Sequence, residues 1–298
     1  MKNILIIGCG LIGSSILRAA NEKKVSKKIF IYEKSKSNIE KVKKLKLPCT
    51  IVDNLNKKNL VFDLIIICTP MSEYEKIIIQ INKNLEKKTL ITDVSSSKEN
   101  ILKLIKKKLK KGIPWISSHP ISGSEVSGPE HGDKNLFLNK WCILIKEKKS
   151  SVKHLNILKK FWKKIGSKVM VMEANKHDSI FSITSHLPHL IAYNLIKTAT
   201  DFEKNKKYDL IKYSAGGLRD FSRIAASNEI MWRDIFFNND KNIIKAIDLF
   251  IKNLISFKKN IKNKNSKLII DKLIKTKKVR KKIILLKQDI NKPDFGRN

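Results

Sequence analysis

The sequence predicts an α/β fold in two parts: a doubly wound sheet of the Rossmann type over residues 1–172, then an all-helical domain over residues 173–298. Two observations predict it. Up to residue 172, short apolar runs typical of buried parallel strands alternate with segments of helical periodicity. From residue 174 onward, long helical periodicities continue without a convincing strand. The first part should bind a ligand at the carboxyl ends of its strands, and the second should close over it.

The first strand and helix carry a glycine motif. The apolar run at residues 4–7 leads into GCGLIG, and a helical pattern follows directly. G-x-G-x-x-G between a strand and a helix is the fingerprint of dinucleotide binding, because it brings a pyrophosphate close to the amino terminus of the helix. The predicted contacts in this loop are Gly8, Gly10, Leu11, Ile12 and Gly13.

An acidic residue at the end of the second strand indicates which dinucleotide is bound. Glu33 follows apolar residues 29–32 and lies 33 − 13 = 20 positions after Gly13, the last glycine of the motif. A carboxylate here accepts hydrogen bonds from ribose hydroxyls and repels a 2′-phosphate. We therefore predict NAD as the cofactor, with NADP still possible because Lys34 and Lys36 are close by.

Three polar loops follow later strands and should face the same crevice. Thr69 and Pro70 follow residues 63–68 and complete the predicted cofactor contacts. The serines at 95–97 follow residues 89–94, and Ser97 alone could cap the next helix. Residues 117–128, SSHPISGSEVSG, form a glycine-rich loop that carries His119 after an apolar run. We expect a ligand beside His119.

The formal net charge is +36, from 63 Lys and Arg against 27 Asp and Glu. A polyanionic partner is one interpretation. The lysines, however, are scattered evenly between apolar residues at helical spacing, which favours solvated helix faces and no nucleic-acid partner. Arginine is rare, and three of the six lie within residues 219–233. Its planar fork suits a carboxylate or phosphate, so this segment is a candidate anion site.

Other signals favour a cytoplasmic protein without metal or membrane. The four cysteines have no metal-site spacing and are interpreted as reduced thiols, three of them in strand-like runs. The apolar run at residues 4–7 is too short for the core of a signal peptide. No segment approaches the roughly 18–20 apolar residues that a bilayer requires.

The helical domain contains two segments with candidate binding residues. In SITSHLPH, residues 182–189, Pro188 should interrupt a helix beside His186 and His189, although either histidine alone is more often a buried structural residue. In residues 215–236, Arg233 and Asp234 look like a structural pair. Arg223 is harder to explain without an anion.

Taken together, these motifs resemble the prephenate/arogenate dehydrogenase family. The similarity covers essentially the whole chain, in order, and rests on GCGLIGSS, DVSSSK, HPISGSEVSG, SHLPH, GGLRDFSRIA and IMWRDIF. Ser95 departs from the family's usual D-x-G-S-x-K, and we expect no regulatory amino-acid-binding domain after the helical domain. The resemblance implies a nicotinamide-dependent oxidative decarboxylation of prephenate or arogenate in tyrosine synthesis, and a homodimer formed by the helical domain.

The resemblance also implies residue roles. His119 would accept the proton of the ring hydroxyl, with Ser96 hydrogen-bonded to it or to the same hydroxyl. The residues implied to bind substrate are His189 and Arg223, followed in rank by Glu125, Ser124 and His186. No residue decides between prephenate and arogenate.

Two alternative functions remain open from the residues. Another β-hydroxyacid dehydrogenase with a Rossmann domain would be expected to use a lysine in its helical domain. A basic, nucleotide-sensing protein that binds nucleic acid would show an affinity that falls steeply with salt.

Overall fold

Five parallel strands form the first sheet in a computed structural model that describes residues 1–55, 61–147, 150–206 and 208–286. The strands are β1 (Asn3–Ile7), β2 (Lys28–Tyr32), β3 (Thr50–Ile51), β4 (Leu64–Ile67) and β5 (Leu90–Asp93). Their order is β3-β2-β1-β4-β5. The chain thus builds outward from β1 to one edge, returns to β4 and builds to the other. Such a reversal opens a crevice at the carboxyl ends of β1 and β4.

Helices cover both faces of this sheet, which explains why its strands are apolar throughout. They are α1 (Leu11–Glu22), α2 (Lys36–Lys44), α3 (Tyr74–Asn82) and α4 (Glu99–Lys108). Because side chains alternate along a strand, Ile4 and Ile6 join one hydrophobic cluster while Leu5 and Ile7 join the other. A strand buried on both faces needs an apolar residue at every position.

A second, three-stranded sheet follows. It contains β6 (Ser118–Pro120), β7 (Trp141–Ile145) and β8 (Lys168–Met172), with α5 (Val152–Lys164) between the last two. Strand β6 runs antiparallel to β7, and β7 runs parallel to β8. The strand expected at residues 114–117 makes a single bridge, between Trp115 and Ile91. Regular pairing starts only at Ser118, where the chain meets β7.

The helical domain confirms the predicted change of character after the second sheet. Its helices are α6 (Ala174–Phe181), α7 (Leu187–Lys206), α8 (Gly216–Ala225), α9 (Glu229–Asn238), α10 (Asp240–Lys262) and α11 (Ser266–Leu285). Residues 287–298 of the predicted helical domain lie outside the described residues. None of the described helices is long and apolar enough to cross a membrane.

A π-helical turn, Ser182–His186, separates α6 from α7. Pro188 explains it, because a proline has no N–H to donate to the carbonyl four residues earlier, and the regular ladder cannot continue there. The interruption expected beside Pro188 is therefore present, one turn earlier in the chain. It lies against α10, and its last residue, His186, lies close to the backbone of Ser96 in the sheet domain.

Candidate active site

The glycine loop has the backbone geometry that a dinucleotide requires. Gly8 has φ +91°, and a Cβ there would lie 2.8 Å from the Cys68 carbonyl oxygen. A Cβ at Gly13 would collide with the Gly8 carbonyl oxygen, so α1 packs directly on the loop. Around Gly10, by contrast, no atom lies within 4 Å of where a Cβ would be. The first and last glycines allow the tight turn, and the middle one leaves open space at the start of α1, which fits a pyrophosphate.

Glu33 is fixed beside this loop. Its Oε2 accepts a hydrogen bond from Cys9 N at 2.7 Å, and its Oε1 accepts one from Ser35 N at 2.8 Å. A carboxylate has further lone pairs, so these bonds orient Glu33 and still leave acceptor sites for a ribose hydroxyl. Thr69 lies on the neighbouring loop with its Oγ1 buried and without a protein partner, while Pro70 is exposed. The predicted cofactor residues therefore surround one crevice.

His119 lies in strand β6, paired with Ile143 of β7, and is 8% exposed. The expectation that it lies in a loop is wrong, because antiparallel pairing with β7 orders the backbone at this point. Its Nδ1 is 2.8 Å from His177 Nε2, and His177 Nδ1 is 2.7 Å from Asp178 Oδ1. His177 and Asp178 belong to α6, so the helical domain supports a residue of the sheet domain.

The pKa of His119 is well below its ordinary value of 6.5. Burial is the largest cause, and the neighbouring His177, Lys98 and His186 add to it. Burial disfavours the charged ring, and nearby positive charge disfavours it further. His119 is therefore neutral near pH 7 and can accept a proton.

A buried lysine holds the strand that carries His119. Lys98 is fully buried, and its Nζ lies 2.7 Å from Asp93 Oδ2, 3.0 Å from Ser95 Oγ and 2.6 Å from the Ser118 carbonyl oxygen. Burial lowers the pKa of Lys98, and Asp93 opposes the shift. Lys98 thus joins the end of β5 to the start of β6. Lys98 ends the DVSSSK motif, and the sequence alone does not indicate this role.

Ser96 does not bond to His119 in the structure. It is half-buried, and its backbone lies close enough to His186 to favour a charged ring. The predicted contact of its side chain with a substrate hydroxyl stays a prediction. Ser95, where the related motif has glycine, uses its hydroxyl to bond Asp93 at 2.5 Å. The departure from the motif therefore adds a member to the buried network.

His186 and His189 lie on either side of the π turn's end and both contact Trp232. His189 stacks on the indole at 3.9 Å between ring centroids, and its Nδ1 donates to the Ser185 carbonyl oxygen at 2.9 Å. His186 is fully buried, with Nδ1 3.1 Å from Asn239 Nδ2 and with no partner for Nε2. An amide nitrogen only donates, so His186 Nδ1 accepts and Nε2 carries the proton. That Nε2–H is buried and has no hydrogen-bond partner within range, although the Ser96 backbone lies close to the ring.

Arg223 and the loop after β6 meet in a partly exposed contact. Arg223 Nη1 lies 3.6 Å from Glu125 Oε2, and Ser124 Oγ donates to the same oxygen at 3.0 Å. Three of the predicted substrate residues therefore lie together, although they come from α8 and from the loop between β6 and β7. The side chain of Arg223 is 41% exposed, so an incoming anion can compete with Glu125 for it.

Asp234 connects the helical domain to the cofactor loop. The expected pair with Arg233 is present, at 2.7 Å from Nη2 to Oδ1. The other oxygen, Oδ2, accepts from Ser72 N at 2.8 Å, just after Pro70. Sequence reasoning missed this second role, as it missed His177 and Asp178. The one sequence feature that could have pointed to His177 and Asp178 is that a histidine and an aspartate are adjacent shortly after the carboxyl end of β8.

Comparisons with known proteins agree over nearly the whole chain. Residues 16–171 match the family model described as "Prephenate dehydrogenase, nucleotide-binding domain", and residues 173–276 match "Prephenate dehydrogenase, dimerization domain". The chain is 31% identical to a cyclohexadienyl dehydrogenase of Zymomonas mobilis, over 94% of this chain and 95% of that protein. It is 32% identical to a prephenate dehydrogenase of Lactococcus lactis, over 94% of this chain and 77% of that protein.

A solved structure is similar in three dimensions as well. The crystal structure of prephenate dehydrogenase from Aquifex aeolicus, in complex with hydroxyphenyl propionate and NAD+, superimposes with a TM-score of 0.89 at 32% sequence identity. The match covers 95% of this chain and 98% of that one. With both domains matched in sequence and in structure, the chain belongs to the prephenate dehydrogenase family.

Proposed function

We propose that this chain catalyses the NAD-dependent oxidative decarboxylation of prephenate or arogenate in tyrosine biosynthesis. The observation that carries the proposal is His119, a buried neutral histidine of β6 whose Nδ1 is hydrogen-bonded to His177, so that its Nε2 can serve as the base. Support comes from the family, whose members include prephenate and cyclohexadienyl dehydrogenases. These relatives also favour oxidative decarboxylation over the other two functions that the sequence left open.

His119 supplies the proton acceptor that the reaction needs. Its Nε2 takes the proton of the ring hydroxyl as the carbon that bears this hydroxyl becomes a ketone. Residues 8–13 and Glu33 would hold NAD, which would supply the acceptor for the hydride that leaves the same carbon. The ring ketone then serves as the electron sink for loss of the ring carboxylate as carbon dioxide, and the ring becomes aromatic. A base that is neutral before the reaction and buried from water suits this step, because it is ready to receive the proton.

The groups proposed to hold the substrate come from the helical domain, whereas the base, His119, comes from the sheet domain. Arg223 offers a planar fork for a carboxylate, in exchange for its contact with Glu125. His186 offers a buried Nε2–H donor, and His189 offers the remaining nitrogen of a ring fixed by Trp232 and Ser185. For the cofactor, Glu33 favours NAD because its fixed carboxylate suits ribose hydroxyls and repels a 2′-phosphate.

The helical domain forms a homodimer in this proposal. Helices α10 and α11 expose apolar side chains such as Leu254 at 56%, Ile255 at 62% and Leu273 at 52%. A stripe of this kind on long helices needs a partner surface, and a second copy offers the same one. The match of residues 173–276 to a dimerization domain supports this. Light scattering should give the mass of a dimer, and Leu254→Glu should shift it toward the monomer.

The decisive experiment combines purified protein with NAD or NADP and with prephenate or arogenate, and follows reduced cofactor by absorbance. NAD with at least one of the two substrates should give turnover. His119→Asn should reduce kcat by at least about 100-fold, within the range for a positioned base. His131→Asn is the matched control, because His131 lies exposed on the loop after β6 and should keep full activity. Full turnover by His119→Asn would overturn the proposal.

A further inference from the structure

We propose that His177 and Asp178 are positioning residues that set the tautomer of His119. Two residues of the helical domain thereby keep the base of the sheet domain in the form that can accept a proton. The catalytic consequence rests on the proposed function, whereas the tautomer itself can be observed without any activity. No motif that points to the family contains either residue.

The hydrogen bonds allow one consistent arrangement of protons. The Asp178 carboxylate only accepts, so His177 Nδ1, at 2.7 Å from Oδ1, must be the donor. A neutral His177 then has a lone pair on Nε2, which accepts from His119 Nδ1 at 2.8 Å. His119 in turn has its lone pair on Nε2. This is the nitrogen needed to take a proton, so the tautomer of the base is determined two residues away.

Asp178 is held firmly enough to impose this order. Its carboxylate also accepts from Lys98 N at 2.9 Å and from Glu99 N at 2.9 Å, the amides at the start of α4. Its own carbonyl oxygen accepts from Asn239 Nδ2 at 2.8 Å. Asp178 is 1% exposed. With the two α4 amides bonded to its oxygens, the carboxylate has no freedom to turn away from His177.

The surroundings favour a neutral but oriented pair of rings. Phe181 packs against both imidazoles, at centroid distances of 4.9 Å from His119 and 4.5 Å from His177. The charged and titratable neighbours are Lys98, Asp93, Asp178 and His186. Burial lowers the pKa of His177, and Asp178 opposes the shift through their hydrogen bond. His177 therefore stays a neutral relay, and the carboxylate behind it stabilises the positive charge that arises when His119 takes a proton.

Asp178→Asn should invert the arrangement. An amide that keeps its oxygen on the α4 amides presents its NH₂ to His177, which then accepts at Nδ1 and donates from Nε2. His119 must accept at Nδ1 and carry its proton on Nε2, where it can no longer act as a base. We expect kcat to fall about 10²- to 10⁴-fold, the scale seen when the same change is made behind a catalytic histidine, with the affinity for NAD unchanged.

A pair of variants at His177 separates positioning from folding. The amide of His177→Gln reaches the place of the imidazole Nε2 and can accept from His119, whereas the shorter His177→Asn cannot. Positioning therefore predicts that Gln retains kcat within about tenfold of wild type, while Asn loses at least about 100-fold. A merely structural role predicts that turnover follows stability in both. Equal turnover of two equally stable variants would overturn the inference, and this comparison holds even if Asp178→Asn fails to fold.

The tautomer is read directly by ¹⁵N NMR of histidine-labelled protein near pH 8, with His119→Asn identifying the signal among six histidines. The wild-type His119 should carry its proton on Nδ1, and Asp178→Asn should move it to Nε2. A wild-type ring protonated on Nε2 would refute the inference, even with His119→Asn inactive. Conversely, the expected tautomer together with an active His119→Asn would refute the proposed function alone.

Discussion

His186 should make the folded protein sensitive to mild acid. The ring is fully buried, and burial is the largest cause that lowers its pKa from 6.5 to about 4, with Asp178 opposing the shift. The hydrogen bonds around His186 also favour the neutral ring and therefore a lowered pKa. The Asn239 amide that donates to His186 Nδ1 also donates to the Asp178 carbonyl oxygen at 2.8 Å, and its own oxygen accepts from Asn242 at 2.8 Å. It cannot turn over to accept a proton from a charged His186.

The magnitude follows from the linkage between protonation and folding. The folded pKa of His186 lies below the unfolded value, so the unfolded chain binds the proton first as the pH falls. Its contribution to stability is complete above the unfolded pKa of 6.5 and is lost on going down to about 4. At about pH 5 the unfolded chain is nearly all protonated at this residue while the folded one is nearly all neutral. The contribution of His186 to the free energy of unfolding is therefore about 2 kcal/mol smaller at about pH 5 than at about pH 7.

The assay is urea unfolding followed by circular dichroism at about pH 7 and about pH 5, at one protein concentration because a dimer's stability depends on it. Wild type should lose about 2 kcal/mol more of its free energy of unfolding between these pH values than His186→Gln does. His131→Gln, which removes an exposed histidine, controls for the loss of a histidine as such. An equal loss in wild type and His186→Gln would refute the reasoning.

Three further predictions concern the cofactor, the substrate and the buried ion pair. Gly13→Ala should weaken NADH binding at least about tenfold in a fluorescence titration, because the new Cβ collides with the Gly8 carbonyl oxygen. Arg223→Lys keeps the charge and loses the fork, so the KM for the substrate should rise about tenfold with NAD binding unchanged. An unchanged KM would remove Arg223 from the site. Lys98→Met should lower the free energy of unfolding by about 3–5 kcal/mol in urea, because Asp93 is left buried without a counter-charge; a change below about 1 kcal/mol would contradict this.

The parts of the fold that sequence predicted depend on short-range patterns. The glycine loop, the first helix and Glu33 follow from fixed spacings along about thirty residues, and a parallel sheet places its strand ends at one edge by construction. The change to an all-helical domain is visible because periodicity 3.6 replaces short apolar runs. These features need no knowledge of how distant segments meet.

The support of His119 escaped prediction because it depends on a distant contact. His177 lies 58 positions after His119, and no pattern in either segment predicts that α6 will pack against β6. Lys98 was missed for another reason. In a chain with so many solvated lysines, one more gives no signal, yet this one is the single lysine buried within the described part of the chain. Its burial becomes explicable only once Asp93, Ser95 and the Ser118 carbonyl are seen to converge on it.

The π turn, Ser182–His186, has a consequence for how the chain tolerates insertions and deletions. Relative to an uninterrupted α-helix, one extra residue in a turn rotates everything after it by about 100° about the helix axis. The stacking of His189 on Trp232 depends on that rotation. Removing one residue from the turn would leave each binding side chain chemically intact while aiming the histidine elsewhere. The shape of the proposed substrate site therefore depends in part on the number of residues before Pro188, and a variant that differs only in length can lose it.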